Sequence, residues 1–285
     1  MSVYTIIMSQ GKFIHKDSLY FPFEERGSQF GDGVYEVIRM YGGKPYLMEE
    51  HTARLMRSLD AIRIKLNYSE AEIKHLLNTL IEKNNTTTDS FIYLQVTRGS
   101  APRVHTFPEN TEPNIYAYIA DKPRPLELLT NGAHAITLPD ERWDNCYIKS
   151  LNLLPNVLAK QNALDNNCYE AILHKNGTVT ECSSSNIYMV KDNTIYTHPA
   201  TNRILHGCVR SAVLRFAKEL DIPVVEEAFT TSNITEADEV FLSSSTSEII
   251  PVVQVDNYSI ADGKPGPIVK QLQQAYRTEI GIKSA

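Results

Sequence analysis

The sequence predicts a two-domain protein of the α/β class, with helices beside mixed (α+β) sheets. The chain has 285 residues, more than a single domain usually contains. Strand-like and helix-like hydrophobic patterns alternate along it. The segment Asp121-Lys122-Pro123-Arg124-Pro125 combines two prolines with charges, and such a segment resists both helix and central strand. We therefore expect a smaller N-terminal domain over 1–120, a linker over 121–131 and a larger C-terminal domain over 132–285.

The N-terminal domain is expected to contain three strands and two amphipathic helices. The first strand follows a glycine-punctuated turn between Gly27 and Gly33. The second helix begins after Ser69, because Glu72 completes a capping box three residues later. The predicted strands cover 34–40, 91–97 and 115–119, and the predicted helices cover 50–62 and a segment that starts at 69.

The C-terminal domain is expected to continue the alternation. A turn at Asn176-Gly177 separates two strands, and a turn at Lys191-Asp192-Asn193 allows the next strand to pair back. The predicted strands cover 133–138, 169–174, 185–190, 195–197 and 240–242. The predicted helices cover 154–166, 208–220 and 268–277.

Composition and charge argue against several classes of protein. A net charge of −6 argues against a nucleic-acid-binding protein. No apolar run is long enough to cross a membrane, and residues 1–8 lack the regions of a signal peptide. The cysteines at 146, 168, 182 and 208 are widely spaced, so neither a disulfide framework nor a metal site is expected. We expect a cytoplasmic protein whose partners are small molecules, with no nucleic acid and no membrane among them.

Lys149 is the first candidate for chemistry. It lies in the mostly apolar stretch 146–154, so we expect it to be partly buried. Burial disfavours the charged form of a lysine, and an uncharged amine is a nucleophile toward aldehydes. The alternative is a lysine at a strand end whose ammonium reaches water. Other chemistries lose support because the chain has no G-x-G-x-x-G, Walker A, H-E-x-x-H or G-x-S-x-G motif.

Pyridoxal 5'-phosphate (PLP) is a cofactor whose needs this sequence can meet. Its aldehyde needs a lysine, for which Lys149 is the candidate, and its pyridine nitrogen needs a carboxylate, for which Glu181 is the candidate. Its phosphate needs N–H and hydroxyl donors, preferably at a helix N-terminus. Gly207-Cys208-Val209 opens a predicted helix, and Ser244 and Ser245 lie in a serine-rich segment. Each residue has an ordinary alternative, as a solvated turn acid, a loop serine or a helix start, so only their joint occurrence favours this cofactor.

Six segments form an ordered set of motifs across both expected domains. They are Phe30-Gly31-Asp32-Gly33-Val34-Tyr35-Glu36, Glu50-His51-Thr52-Ala53-Arg54-Leu55, Lys149-Ser150-Leu151-Asn152, Tyr169-Glu170-Ala171-Ile172-Leu173, Thr180-Glu181-Cys182-Ser183-Ser184-Ser185-Asn186 and Ser245-Thr246-Ser247-Glu248-Ile249. Together they resemble the fold-type IV PLP enzymes, also called class IV aminotransferases. That family contains branched-chain aminotransferases, D-amino acid aminotransferases and aminodeoxychorismate lyases. The resemblance covers essentially the whole chain and implies a two-domain fold that binds PLP.

A further segment, Val96-Thr97-Arg98-Gly99-Ser100-Ala101-Pro102-Arg103-Val104-His105, resembles the D-amino acid aminotransferases within that family. In those enzymes an Arg-x-His pair from the partner subunit joins a tyrosine to hold the substrate α-carboxylate. By this resemblance Arg103 and His105 are the pair, Tyr35 is the tyrosine, and the enzyme is a homodimer with composite active sites. A guanidinium offers a planar fork suited to a carboxylate, and an extended backbone would put both polar side chains on one side. The alternative is an arginine and a histidine in a solvated loop.

The resemblance also assigns the other cofactor contacts. Arg54 is expected to meet the phosphate, together with the backbone N–H groups of Cys208 and Val209 and the hydroxyl of Ser245. Leu205 is expected against the ring face opposite the reacting side. The remaining residues assigned to the cofactor carry hydroxyl groups: Ser184, Ser185 and Ser244.

Two positions depart from the family pattern. Val209 stands where these enzymes often have a threonine, so one phosphate hydrogen bond of roughly 0.5–1.5 kcal/mol is expected to be missing. Cys182 stands where glycine is common, beside the candidate Glu181. Neither departure removes a residue that the expected chemistry needs.

The implied reaction is transamination of D-amino acids by a ping-pong mechanism, for example D-alanine and 2-oxoglutarate giving pyruvate and D-glutamate. Lys149 is expected to bind the cofactor covalently and to move the α-proton as general base and acid. Glu181 is expected to keep the pyridine nitrogen protonated. Three alternatives stay open: a branched-chain L-amino acid aminotransferase, an aminodeoxychorismate lyase and a non-catalytic small-molecule-binding protein. The Arg103-Val104-His105 segment argues against the first, and intact Lys149 and Glu181 argue against the last.

Overall fold

The computed structural model describes residues 2–282 and divides into two compact units. The first unit consists of the described residues up to Pro123 together with Ile148–Asn152. The second consists of Arg124–Tyr147 and the described residues from Leu153 onward. The segment 148–152, which contains the candidate lysine, thus groups with the first unit, whereas we expected it in the C-terminal domain.

The first unit is built on a six-stranded antiparallel sheet. Its elements are β1 (Ile6–Ser9), β2 (Lys12–His15), α1 (Arg26–Phe30), β3 (Gly33–Tyr41), β4 (Lys44–Pro45), α2 (Met48–Ala61), α3 (Glu70–Lys83), β5 (Ser90–Thr97) and β6 (Asn114–Asp121). The strand order is β2-β1-β6-β5-β3-β4. The prediction of a mixed sheet is therefore wrong for this unit, because local sequence patterns do not encode whether neighbouring strands run parallel or antiparallel.

The two faces of this sheet differ because side chains alternate along each strand. One face, with Val34 and Ile38 of β3 and Leu94 of β5, packs against Leu55 of α2 and Leu77 of α3 in a buried apolar core. The opposite face carries a ring-stacked group of tyrosines. Its members are Tyr35, Tyr93, Tyr116 and Tyr118. Position 35 therefore faces away from the core helices.

The second unit contains a nine-stranded mixed sheet. Its elements are α4 (Leu126–Asn131), β7 (Ala133–Pro139), α5 (Leu154–Asp165), β8 (Glu170–Lys175), β9 (Thr178–Cys182), β10 (Asn186–Lys191), β11 (Thr194–Thr197), α6 (Cys208–Glu219), β12 (Val224–Val225), α7 (Thr231–Ile234), β13 (Glu239–Ser244), β14 (Glu248–Val255), β15 (Tyr258–Ser259) and α8 (Pro267–Glu279). The order is β12-β11-β10-β13-β14-β7-β8-β9, with β15 paired to β14. Pairs β11/β12, β14/β7 and β7/β8 are parallel and the others antiparallel.

Register within this sheet gathers polar residues at strand ends. In the β8/β9 pair Ile172 lies opposite Cys182, so the serines after β9 return to the start of β8. In the β10/β13 pair Asn186 lies opposite Ser243. The candidate residues between 180 and 186 and those near 244 consequently lie within one unit, on neighbouring or nearby strands.

Every helix and strand predicted from the sequence is present, with ends shifted by a few residues. The capping box is confirmed, since Ser69 Oγ accepts from Glu72 N at 3.3 Å and Ser69 N donates to Glu72 Oε2 at 2.8 Å. The prediction was wrong about the linker, where part of 121–131 forms α4, and about the turn before β3, where α1 forms. It also missed several elements, namely β1, β2, β4, β9, β12, β14, β15 and α7. Among residues 2–282, no helix is both long and apolar enough to span a membrane.

Candidate active site

Lys149 is half-buried, as predicted, and lies beside β3 in the first unit. Its carbonyl accepts from Tyr35 N at 3.0 Å, and Leu151 N donates to the Gly33 carbonyl at 3.0 Å, so the segment follows the strand. Its own N–H donates to Ser58 Oγ at 3.3 Å. The Lys149 Nζ atom lies 4.3 Å from the centroid of the Tyr35 ring. Within residues 2–282 no carboxylate forms an ion pair with this amine, so its nitrogen is not held by a salt bridge.

Arg54 of α2 is buried against Glu36 of β3 and His51. Arg54 Nε and Nη2 donate to the two oxygens of Glu36, both at 2.8 Å, and His51 Nδ1 lies 2.7 Å from Glu36 Oε2. Burial by itself raises the pKa of Glu36, but the charges and hydrogen bonds of Arg54 and His51 outweigh it and hold that pKa well below its usual range. Glu36 is thus an ionised buried carboxylate that fixes the orientation of the Arg54 guanidinium.

Arg103 and His105 are exposed and lie in an irregular loop rather than in an extended segment. Both contact the ring of Phe30, with Arg103 Cζ at 4.8 Å from its centroid and the His105 ring at 5.5 Å. Phe30 therefore brings the two side chains together. In the part of the chain that the structure describes, no hydrogen bond or ring contact joins Tyr35 to either of them.

A buried ion network holds this loop. Asp32 accepts from Arg26 Nε at 2.8 Å and from Arg98 Nε and Nη2 at 2.8 and 3.0 Å. Arg26 also donates to the carbonyl of Val104 at 2.8 Å, between the two candidate residues of the loop. Since Asp32 and Arg98 lie in the recognised motifs, a sequence signal for them existed, but their pairing became visible only in the fold.

Glu181, at the end of β9 in the second unit, is buried. Its Oε1 accepts from Arg142 Nη1 at 2.5 Å and from Leu205 N at 3.0 Å, and its Oε2 accepts from Asn186 Nδ2 at 3.0 Å. Burial raises the pKa of Glu181, while Arg142 and the Leu205 N–H lower it, and the net direction is upward. It is therefore a buried carboxyl group in a polar setting, not a solvated turn acid.

Asn186, which the sequence reasoning did not single out, joins the separate parts of this region. Its amide nitrogen donates both to Glu181 Oε2 and to the Leu205 carbonyl, the latter at 2.8 Å. A Cβ atom on Gly207 would lie 2.1 Å from Asn186 Oδ1, so glycine is required there. Gly207 is the N-cap of α6 and makes no side-chain cap. Asn186 thus links Glu181, Leu205 and the start of α6.

The first turn of α6 offers donors to an anion. It has no acidic residue, and within 2–282 the backbone N–H groups of Cys208 and Val209 make no hydrogen bond. The first N–H groups of a helix have no partner inside the helix, and together with its dipole they favour negative charge. The predicted phosphate-binding position at Cys208 and Val209 therefore has the right donors.

The hydroxyl groups of the serine turn are directed at a carboxylate. Glu170, buried at the start of β8, accepts from Ser183 Oγ, from Ser184 Oγ at 2.7 Å and from Ser185 Oγ at 3.1 Å. A serine hydroxyl has one hydrogen to donate, so Ser184 and Ser185 have oxygen lone pairs left for other groups. Glu170 was part of a recognised motif but was not assigned a role.

The second serine-rich segment follows β13. Ser244 Oγ accepts from Ser247 N at 3.1 Å, and Ser247 Oγ lies 2.8 Å from the hydroxyl of Tyr169. Ser244 and Ser245 are half-buried. The turn is thus held by its own hydroxyl groups and by Tyr169, which immediately precedes β8, while Ser244 and Ser245 keep part of their surface exposed.

Comparisons with known proteins identify the family of this chain. Residues 33–255 match the amino-transferase class IV family, and the chain belongs to that family. It is 45% identical to a D-alanine aminotransferase from Staphylococcus aureus (strain N315), over 96% of this chain and 97% of that protein. It is 44% identical to a D-alanine aminotransferase from Bacillus licheniformis, over 98% of both chains.

Among solved structures, a branched-chain amino acid aminotransferase from Escherichia coli superposes with a TM-score of 0.92. It is 27% identical, and the match covers 99% of this chain and 96% of that one. The α/β fold predicted from the sequence and the recognised family are therefore both confirmed.

Proposed function

We propose that this protein is a PLP-dependent aminotransferase that moves amino groups between D-amino acids and 2-oxo acids. The observation that carries the proposal is a full-length identity of 44–45% to D-alanine aminotransferases. The structure adds further support, because the buried carboxylate of Glu181 is joined through Asn186 to the start of α6, which has no side-chain cap. D-Alanine and 2-oxoglutarate are the substrates to test first, giving pyruvate and D-glutamate.

The residues present fit the cofactor. Class IV aminotransferases use PLP. A phosphate fits the N–H groups of Cys208 and Val209, which make no hydrogen bond among residues 2–282. Gly207 adds no side chain in front of them, and Asn186 leaves no room for one. Glu181 Oε2 has one acceptor position left for a ring N–H, since a carboxylate oxygen accepts about two hydrogen bonds. Val209 supplies its N–H but no hydroxyl group.

Lys149 is proposed as the residue that binds the cofactor and moves protons. When bound, PLP supplies an aldehyde that receives the amino group and a ring that withdraws electrons from the substrate α-carbon. Lys149 Nζ, which makes no ion pair among residues 2–282, would bind the aldehyde of the cofactor and would then be placed to take up and return the α-proton of the amino acid. The Tyr35 ring beside Nζ restricts where that amine can move.

The remaining residues are proposed to position cofactor and substrate. Arg54, oriented by Glu36, donates to the phosphate, and Ser245 completes the phosphate contacts with Ser244. Leu205 packs against the ring, because its backbone is fixed by Glu181 and Asn186. Ser184 and Ser185 accept hydrogen bonds from the cofactor rather than donate them, since Glu170 takes their hydrogens. We therefore assign these two serines to a hydrogen-bond donor of the cofactor and not to its phosphate.

Tyr35, Arg103 and His105 are proposed to hold the substrate α-carboxylate in a homodimer. Support comes from the shared contact of Arg103 and His105 with Phe30, and from the lack of a hydrogen bond or ring contact between them and Tyr35 among residues 2–282. That separation is what a composite site requires, in which the pair serves the partner's Tyr35. Carboxylate placement decides which α-hydrogen points at Lys149, so it sets the preference for D-amino acids. We place the enzyme in the cytoplasm because its four widely spaced cysteines fit a reducing compartment.

One assay separates the proposed function from its rivals. Purified protein is incubated with 2-oxoglutarate and either D-alanine or L-leucine, and the products are resolved on a chiral column. D-Glutamate from D-alanine is expected. L-Glutamate from L-leucine would identify a branched-chain aminotransferase, which the superposition with the Escherichia coli enzyme makes the second candidate. Release of pyruvate from aminodeoxychorismate without any 2-oxo acid would identify a lyase.

Borohydride reduction tests the cofactor assignment separately. Reduction should fix the cofactor to Lys149, and a peptide map should show the label there and on no other lysine. The variant Lys149→Ala should bind PLP without a covalent bond and should not turn over. A label on another lysine would contradict the role of Lys149 without affecting the family assignment.

A further inference from the structure

Arg142 stands between two buried carboxylates of the second unit. It donates from Nη1 to Glu181 Oε1 at 2.5 Å, and from Nε and Nη2 to the two oxygens of Asp140, both at 2.9 Å. Asp140 also accepts from Thr180 Oγ1 at 2.7 Å. The side chains of Arg142, Asp140 and Glu181 are 7%, 1% and 5% exposed. The fork of Arg142 is thus fixed by Asp140 while one nitrogen is left for Glu181.

Arg142 is the cation that balances Glu181. Burial raises the pKa of Glu181, and the Arg142 charge is the largest influence in the opposite direction. The charge of Asp140 raises the pKa of Glu181, whereas Cys146, Cys182 and Tyr188 are neutral at ordinary pH, because burial raises the pKa of Cys146 to about 11 and raises those of Cys182 and Tyr188. For Asp140, burial raises the pKa, but Arg142 and Thr180 outweigh it and lower that pKa. The charge state of Glu181 therefore depends on Arg142, and Asp140 keeps Arg142 in place.

The hydrogen bonds also divide the two oxygens of Glu181. Oε1 accepts from Arg142 and from the Leu205 N–H, which fills its two acceptor positions. Among the residues that the structure describes, Oε2 accepts only from Asn186, so one acceptor position stays open. A further N–H donor that approaches Glu181 can therefore be accepted by Oε2 but not by Oε1.

We propose that Arg142, held by Asp140, is a positioning residue that keeps Glu181 ionised and leaves Oε2 as the oxygen that accepts the ring N–H of the cofactor. This inference rests on the proposed function, because it concerns the carboxylate assigned to PLP. Arg142 acts through Glu181 and does not touch the cofactor itself. Sequence reasoning missed it, since nothing around Asp140-Glu141-Arg142 marks a site.

The first test measures the protonation of Glu181 in full-length protein without cofactor. Infrared difference spectra between each protein and its Glu181→Gln version isolate the Glu181 carboxyl band. An arginine beside a carboxylate lowers its pKa by about 1–3 units, so Arg142→Met should raise the protonated-to-ionised ratio about tenfold to a thousandfold. A band that titrates at the same pH in wild type and Arg142→Met would overturn the proposal. This readout needs no transamination, so failure of the proposed function leaves it interpretable.

The second test uses the PLP-loaded enzyme. Arg142→Met should lower kcat about tenfold or more with every amino donor while KM changes little, because substrate contacts remain. In the Glu181→Gln background the same substitution should cost little further, since its effect passes through Glu181. Equal losses in both backgrounds would show an independent structural role and overturn the proposal.

Two further variants and a control keep the test decisive if Arg142→Met folds poorly. Arg142→Lys keeps the charge and should recover much of kcat. Asp140→Asn loosens Arg142 but also removes a charge that raises the pKa of Glu181, so any upward shift of that pKa should be smaller than the shift from Arg142→Met. Arg215 also bridges two carboxylates, Glu219 and Glu279, but is 44% exposed. Arg215→Met should therefore leave the Glu181 titration and kcat unchanged. A loss from Arg142→Lys as large as from Arg142→Met, or a larger upward shift of the Glu181 pKa from Asp140→Asn than from Arg142→Met, would contradict the proposed mechanism.

Discussion

The buried pair of Glu36 and Arg54 permits a quantitative prediction about stability. Glu36 is 0% exposed and Arg54 is 4% exposed, and the two hydrogen bonds that join them are both 2.8 Å long. The substitution Glu36→Gln removes the negative charge and leaves the guanidinium buried. Breaking a buried pair from one side costs roughly 3–5 kcal/mol. At roughly 2–4 °C per kcal/mol for a protein of this size, Tm should fall by about 6–20 °C.

The lowered pKa of Glu36 also predicts how its contribution to stability changes with pH. The folded pKa of Glu36 lies well below its ordinary value of 4.5, so the folded state binds fewer protons than the unfolded state in acid. Stability from this carboxylate is therefore fully present above about pH 4.5 and is lost as the pH falls toward the folded pKa. The difference in Tm between wild type and Glu36→Gln should be largest near neutral pH and should shrink in acid.

Calorimetry of cofactor-free protein at several pH values is the assay, with Glu49→Gln as the matched control. Glu49 also forms an ion pair, with Lys74, but its side chain is 72% exposed. Its substitution should cost about 1 kcal/mol or less. If the two variants melt alike at neutral pH, or if the Glu36→Gln deficit is as large at pH 3 as at pH 7, the reasoning from burial is refuted.

Three further predictions concern the proposed site. Gly207→Ala should weaken PLP binding in equilibrium dialysis, because its Cβ would lie 2.1 Å from Asn186 Oδ1, and unchanged affinity would show that the start of α6 is not the phosphate site. Arg103→Leu should lose a charge-assisted pair of roughly 1.5–3 kcal/mol, about tenfold to a hundredfold in kcat/KM with every D-substrate. An effect on acidic substrates alone would instead assign Arg103 to the side-chain carboxylate. Phe30→Leu should raise KM several-fold while kcat is kept, whereas Phe23→Leu, at an 83% exposed position, should change neither.

The sequence determined the elements whose patterns are local. The period of apolar residues placed α2, α3 and α6, because one helical face must be apolar to be buried. The capping box at Ser69 fixed the start of α3, since it depends on residues three positions apart. The motifs around Lys149 and Glu181 identified the family for the same reason, as each is a short run that can be read without the fold.

Strand β14 was not predicted from the sequence. It contains Pro251, and proline cannot donate a hydrogen bond to a neighbouring strand. In the structure Pro251 pairs with Phe241 of β13, and pairing with β7 begins only one residue later, at Val252. Pro251 is therefore not required to donate a backbone hydrogen bond to β7. This becomes visible only when the register of β13, β14 and β7 is known.

The tertiary structure alone decided which partners complete the candidate residues. Arg142 and Glu181 are 39 positions apart, and Glu36 and Arg54 are 18 apart, yet both pairs form buried hydrogen bonds. Asn186 reaches Glu181, Leu205 and Gly207 because β9, β10 and the start of α6 converge on it. A sequence pattern records the chemistry of a residue and its neighbours along the chain. The charge and orientation of a buried carboxylate depend on groups brought to it by folding, and no local pattern specifies those.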